Sequence, residues 1–174
     1  RVAVHILPLH PRVLVTGELP GSGALYAAPA AGAAIPLTGW TRAVCEGTEY
    51  PHFGPDVPVT LPDALAEEQP EFSGFVRYET RFTLESAAPL RLTISDAAEG
   101  VEVFLNGQSA GIQIVPPFAY DLAGQAGENT LAIEVATTLE RQCYPLLQGY
   151  ARMLAAPPAC GSGITGAVTL RRVP

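Results

Sequence analysis

The sequence has no lysine. All ten of its basic residues are arginine, set against 17 Asp and Glu, and the formal net charge is −7. Without clustered positive charge the chain cannot displace the counterions of a nucleic acid, which argues against nucleic-acid partners and equally against an anionic membrane surface. The missing lysine reads as coding bias and is assigned no function. Cysteine is nearly as scarce. Cys45, Cys143 and Cys160 are an odd number without Cys-x-x-Cys spacing, which argues against zinc. A bridge between Cys143 and Cys160 is sterically conceivable across a loop; free buried thiols are the plainer expectation. No apolar run approaches the roughly 18 residues of a membrane helix, so the chain is expected to be soluble. It has no initiator methionine and no signal-peptide pattern, and a start at Arg1 reads as an excised domain or a processed chain.

Catalytic motifs are missing too. No Ser or Cys sits in a recognisable nucleophile motif, and His5, His10 and His52 are scattered. A glycosidase needs two carboxylates about 5–10 Å apart on a rigid cleft. Glu67, Glu68 and Glu71 do cluster, but on a surface turn where solvated charge is the default. Asp96, Glu99 and Glu102 bracket a strand turn and could hold a structural calcium, although no dense Asp/Asn run supports the six to eight oxygen ligands calcium favours. No catalytic residue and no cofactor is assigned.

What the chain does have is alternation. Hydrophobic residues make up 48%, with 17 Gly and 17 Pro, as suits a sheet protein with many turns. Val76, Tyr78, Thr80, Phe82 and Leu84 point one way while Arg77, Glu79, Arg81 and Thr83 point the other, the mark of a half-buried strand. Leu90, Leu92 and Ile94 repeat the pattern, as do Leu131, Ile133 and Val135. Asn106-Gly107 separates apolar runs at 101–105 and 108–115, and such a pair accepts the positive φ angles of a type I′ hairpin turn. Turn geometry is the favoured reading of Asn106, with a sugar contact as the alternative. Pro116 and Pro117 end the second arm, and 124–129 is a further turn. Five strands are expected between 72 and 135. They belong to an all-β sandwich.

At 174 residues one domain is expected, able to bury roughly 70% of its unfolded surface. Residues 1–45 carry apolar runs at 2–7, 12–19, 24–28 and 35–44, the last around Trp40. Residues 46–71 read as a long surface connection holding one helical turn at 62–68, with Asp63 as its N-cap. Residues 72–173 are the ordered sandwich, interrupted by an irregular segment at 139–163. Tyr50, His52, Tyr144 and Tyr150 offer flat faces and polar rims suited to a sugar; alternatively their rings simply close the ends of the sandwich. Arg77, Glu79 and Arg81 are either a solvated ladder or a polar interface to a partner domain.

A set of landmarks in fixed order runs through 72–173. It comprises Gly74-Phe75 before the strand carrying Tyr78 and Phe82, then Asn106-Gly107, Gly111, Pro117 and Phe118 followed by Asp121, Gly127 with Asn129, and Gly163 and Gly166 before Val168 and Leu170. This order resembles the sugar-binding jelly-roll domain of family 2 glycoside hydrolases, a galactose-binding-like sandwich also found in large rhamnosidase-type glycosidases. Trp40 matches the tryptophan that often starts such domains. The resemblance implies an all-β jelly-roll β-sandwich that is a non-catalytic module of a larger glycoside hydrolase, not an enzyme by itself. Its partners would be the other domains of that glycosidase, and carbohydrate. In that family the loop after the Gly-x-Asn strand is often polar; here 139–154 is largely apolar, better suited to packing on another domain than to holding sugar hydroxyls. The barrel that carries the catalytic carboxylates is absent. An autonomous carbohydrate-binding module and a protein-interaction domain are the alternatives.

Overall fold

The strands expected from alternation assemble into two antiparallel sheets. The computed structural model of the protein describes residues 32–159 and 161–173. The runs expected at 2–7, 12–19 and 24–28 lie outside the described residues, together with His5, His10 and Cys160.

One sheet has four strands in the order β1 (Ala34–Ile35), β10 (Val168–Arg172), β5 (Ala88–Ile94) and β8 (Phe118–Gly124). The other has six, in the order β3 (Val57–Pro58), β2 (Thr41–Glu46), β4 (Gly74–Leu84), β9 (Gly127–Ala136), β6 (Gly100–Leu105) and β7 (Gln108–Gln113). The short β1 and β10 lie side by side and antiparallel, with Ala34 opposite Arg171. The run expected at 35–44 therefore divides, β1 joining one sheet and β2 the other, with Trp40 buried at the crossing.

The inward faces meet in one core. Val76, Tyr78, Phe82 and Leu84 of β4 and Leu131, Ile133 and Val135 of β9 face Leu90, Leu92 and Ile94 of β5 and Phe118, Tyr120 and Leu122 of β8. Tyr120 closes a link between the sheets by donating its hydroxyl to the Val101 carbonyl at 2.7 Å. Gln113 makes a second link. Its side-chain amide donates to the Ala119 carbonyl at 2.6 Å and accepts the Ala119 N–H at 3.0 Å, doing for β8 what a neighbouring backbone would.

Between 72 and 135 there are six strands rather than five. The additional one is β8, where Phe118, Tyr120 and Leu122 alternate inward with Ala119, Asp121 and Ala123 outward. The hairpin at Asn106-Gly107 forms as expected, with φ of 52° and 79°. The Asn106 side chain also accepts the Thr130 N–H at 2.8 Å and donates to Asn129 at 3.0 Å, which locks the turn to β9. That favours turn geometry as its main task.

The connection 46–71 is more than a surface loop. The helical turn α1 (Leu65–Glu68) forms, but its N-cap is Ala64 and no side chain caps it. Asp63 is instead drawn inward. Its carboxylate, only 2% exposed, accepts Arg42 at 2.8 Å through one oxygen and the Tyr78 hydroxyl at 2.5 Å through the other. Both carboxylate oxygens are thus taken by side chains of β2 and β4, which leaves neither for the helix end. Leu65, fully buried, follows Asp63 into the core. Arg42 also reaches Glu68 at 2.5 Å; burial opposes its charge, but Glu68 and Asp63 outweigh that and raise its pKa. Gly163, at φ 74°, closes the far side, where a Cβ would lie 1.9 Å from the Tyr78 hydroxyl. No side chain larger than glycine fits.

This network sets the response to alkali. Burial, then the bond to Asp63, pushes the Tyr78 phenol well above its ordinary value of 10.0, and burial does the same for Tyr120. Below that ordinary value both phenols are protonated in folded and unfolded chains alike. Above it the unfolded chain releases protons that the folded chain retains, so stability falls as pH rises. Urea midpoints should therefore hold to about pH 9 and fall between about pH 10 and about pH 12, and Tyr78→Phe should flatten that fall. A wild-type midpoint independent of pH over this range would contradict the assignment.

Candidate functional site

The outward face of the six-stranded sheet is where the polar half of the alternation converges. Register places Ala43, Arg77, Glu134 and Glu102 in one row across β2, β4, β9 and β6, and Thr41, Glu79, Ala132 and Phe104 in the next. Ala132 is the small residue between Glu79 and Phe104, so the second row dips at its centre. Beyond it stand Thr130 and the Asn106-Gly107 turn. The result is a hollow of about 690 Å³ lined by Tyr50, Arg77, Glu79, Phe104, Asn106, Gly107, Thr130, Ala132 and Glu134. Small-ligand sites typically occupy roughly 300–1,000 Å³.

One wall comes from the segment between β2 and β3, which folds back over the sheet. Tyr50 packs its ring on Phe75, with centroids 4.3 Å apart, and meets Phe53 edge-on at 6.0 Å. The Arg77 guanidinium lies over the Phe53 ring at 4.2 Å. Beneath them Glu134, though on the outward face, is buried. Arg77 donates to one of its oxygens through Nε at 2.9 Å and Nη2 at 2.5 Å, and the Tyr50 hydroxyl donates to the other at 3.2 Å. Burial and the Glu134 charge raise the Tyr50 pKa, which keeps that hydroxyl a donor. Glu102, opposite Glu134 in register, accepts Ser109 at 2.6 Å. Glu79 is different. It lines the hollow half-buried, and among the described residues no hydrogen bond or ion pair engages its carboxylate.

The four loop residues expected to offer a sugar platform do not share one site. Tyr50 lines the hollow. His52 lies in the same segment, exposed, but is not among the lining residues. Tyr144 and Tyr150 belong to the segment after β9, where α2 (Glu140–Cys143), a 3-10 turn (Tyr144–Leu146) and α3 (Gly149–Leu154) replace the expected irregular chain. One face of Tyr144 is covered by the Arg152 guanidinium at 3.7 Å, and Tyr150 is 74% exposed. Glu79, Phe104, Ala132 and Glu134 were not foreseen as neighbours, because alternation gives the face of a residue and not the strand beside it. The Arg77–Glu79–Arg81 ladder does not run along β4 either. Arg77 and Arg81 reach across to Glu134 and Glu128.

Other expectations resolve locally. Cys45 is free and buried, its thiol pKa raised by burial and then by Glu49 and Glu134. Cys143 is also free but exposed, because α2 turns it away from the sandwich, which corrects the expectation of a buried thiol. Asp96 accepts Thr165 at 2.6 Å. Among the described residues no group of three or more His, Cys, Asp or Glu is placed to hold a metal ion, and no helix is long and apolar enough to cross a membrane. The helical segment after β9 carries the densest exposed apolar surface, with Leu139, Leu146, Tyr150, Met153 and Leu154 each more than half exposed.

No protein-family model matches the sequence, and no curated protein does. Solved structures do match. The rhamnosidase from Novosphingobium sp. PP1Y superposes with a TM-score of 0.59 at 23% identity, over 90% of this chain and 16% of its own. The β-glucuronidase of Faecalibacterium prausnitzii gives 0.60 at 15%, over 87% and 33%. A family 2 β-galacturonidase from Eisenbergiella tayi gives 0.55 at 14%, over 81% and 25%. The likeness is one of fold: the two-sheet sandwich recurs in part of each of those three enzymes. This chain spans a third or less of each of those enzymes. Among the described residues of this sandwich, two surfaces stand out: the hollow on the six-stranded sheet and the apolar helical segment after β9.

Proposed function

We propose that this chain is a non-catalytic β-sandwich module of a larger glycoside hydrolase, supporting the catalytic domain and contacting carbohydrate. What carries the reading is that enzymes named for rhamnosides, glucuronides and galacturonides all contain this sandwich as a minor part of their length. A part common to enzymes of different specificity is suited to architecture rather than to chemistry. The exposed apolar side chains of 139–154 support it. Leu146, Met153 and Leu154 are 72%, 80% and 69% exposed, and covering a large apolar side chain contributes roughly 1.5–3 kcal/mol. The partner that covers them is another domain of the same enzyme. The hollow offers no acid/base pair, since both Glu134 oxygens are engaged.

Leu146→Asp combined with Met153→Asp tests this. In the full-length polypeptide carrying this sequence, the pair should lower the melting temperature of the glycosidase by several degrees. In the 174-residue chain alone it should change nothing, because the side chains are exposed there. An unchanged full-length protein, or hydrolysis of aryl glycosides by the chain alone, would overturn the proposal.

A further inference from the structure

Resting on that reading, we infer that the hollow on the six-stranded sheet is the carbohydrate site of the module, and that it takes a saccharide without carboxylates. Three observations converge there. The first is an acceptor with nothing to accept: Glu79 is half-buried in the hollow and has no partner among the described residues. A polar group drawn partly out of water without a partner is costly, and vicinal sugar hydroxyls are paired donors that fit a carboxylate. The second is aromatic surface on two sides, Phe104 from β6 and Tyr50 from the covering segment. Pyranose rings present apolar C–H faces to such rings while their rims hydrogen-bond.

The third is charge. Glu79, Glu102, Glu128 and Glu134 outnumber Arg77 and Arg81 on this face, and the two guanidiniums are already paired, Arg77 with Glu134 and Arg81 with Glu128. A uronate would bring a further carboxylate against Glu79, and among the described residues of this face each cation already has a carboxylate partner. Like charges forced together in a partly desolvated site are a strong means of rejecting a ligand. An uncharged sugar meets no such opposition. The arrangement is also rigid before any ligand arrives. Arg77 is fixed by Glu134 and stacked on Phe53, Tyr50 is wedged on Phe75, and Asn106 is tied to β9 through Thr130. Preorganisation of this kind cuts the ordering cost of binding.

Calorimetric titration of the 174-residue chain tests the inference. The probes are cellobiose, mannobiose, galactobiose and lactose, with digalacturonate as the acidic counterpart. At least one uncharged disaccharide should bind and digalacturonate should not. Glu79→Ala should weaken binding about tenfold or more, the worth of a bond to an ionised acceptor. Because Glu79 has no partner among the described residues, its removal should leave the urea midpoint unchanged, and Glu79→Gln, which keeps one acceptor oxygen, should bind between the two. Phe104→Ala should also weaken binding, and Tyr150→Ala should not. The inference is overturned if every uncharged disaccharide is inert, if digalacturonate binds as tightly as they do, or if affinity follows Tyr150 rather than Glu79. Failure here leaves the module proposal standing wherever the Leu146/Met153 pair still destabilises the full-length enzyme; failure of that pair with intact sugar binding leaves an autonomous binding module.

Discussion

Asp63→Ala is expected to lower the unfolding free energy by roughly 3–5 kcal/mol, the cost of removing one partner from a buried ion pair. Arg42, whose side chain is 5% exposed, would keep its charge inside the sandwich with only the half-exposed Glu68 to balance it. The Tyr78 hydroxyl would lose its acceptor in the same step. Asp63→Asn should cost less, because the amide oxygen still accepts from Tyr78. Arg42→Met with Asp63→Leu should recover part of the loss by removing both charges, since an unpaired charge is worse than none. Urea denaturation of the four proteins decides the matter. A loss under about 1 kcal/mol for Asp63→Ala would mean that water reaches Arg42, and that the network is not the anchor its geometry describes.

Phe118→Ala should cost about 3–5 kcal/mol, the range for truncating a buried aromatic ring. Phe118 is fully buried at the start of β8, an outer strand of the four-stranded sheet held by β5 on one side and by the Gln113 side chain on the other. Few contacts replace the ring if it goes. Ile114→Ala, a few residues away but 76% exposed, should stay within about 0.5 kcal/mol. Comparable losses for the two would show that β8 does not seat its inward face in the core.

These two sites mark the limits of what could be read beforehand. The faces of β4, β5 and β9 were legible because alternation is local: each side chain declares its face without reference to another strand. β8 carries the same alternation in Phe118, Tyr120 and Leu122, but it opens directly behind Pro116 and Pro117, where the turn signal hides the period of two. Asp63 was illegible for a different reason. An aspartate before a helical turn is an N-cap by local rules, and only the tertiary arrival of Arg42 and Tyr78 from neighbouring strands overrides it. The hollow was partly legible. Tyr50 was named as a sugar-facing ring, and Arg77 and Glu79 as outward residues of uncertain purpose. That they gather with Phe104 across β9 depends on register, which is set by long-range pairing. Tyr144 and Tyr150 went to a separate segment because helical turns at 140–154 carry them off the sandwich.

The pairing of β1 with β10 bears on how force and motion pass through the molecule. Because Ala34 lies opposite Arg171 in an antiparallel pair, polypeptide running into the one strand and out of the other does so at a single corner of the four-stranded sheet. A load applied between those ends would peel the short β1 from β10 one hydrogen bond at a time, instead of shearing the whole ladder at once. Tension would then be met first by the two residues of β1 and not by the network around Asp63.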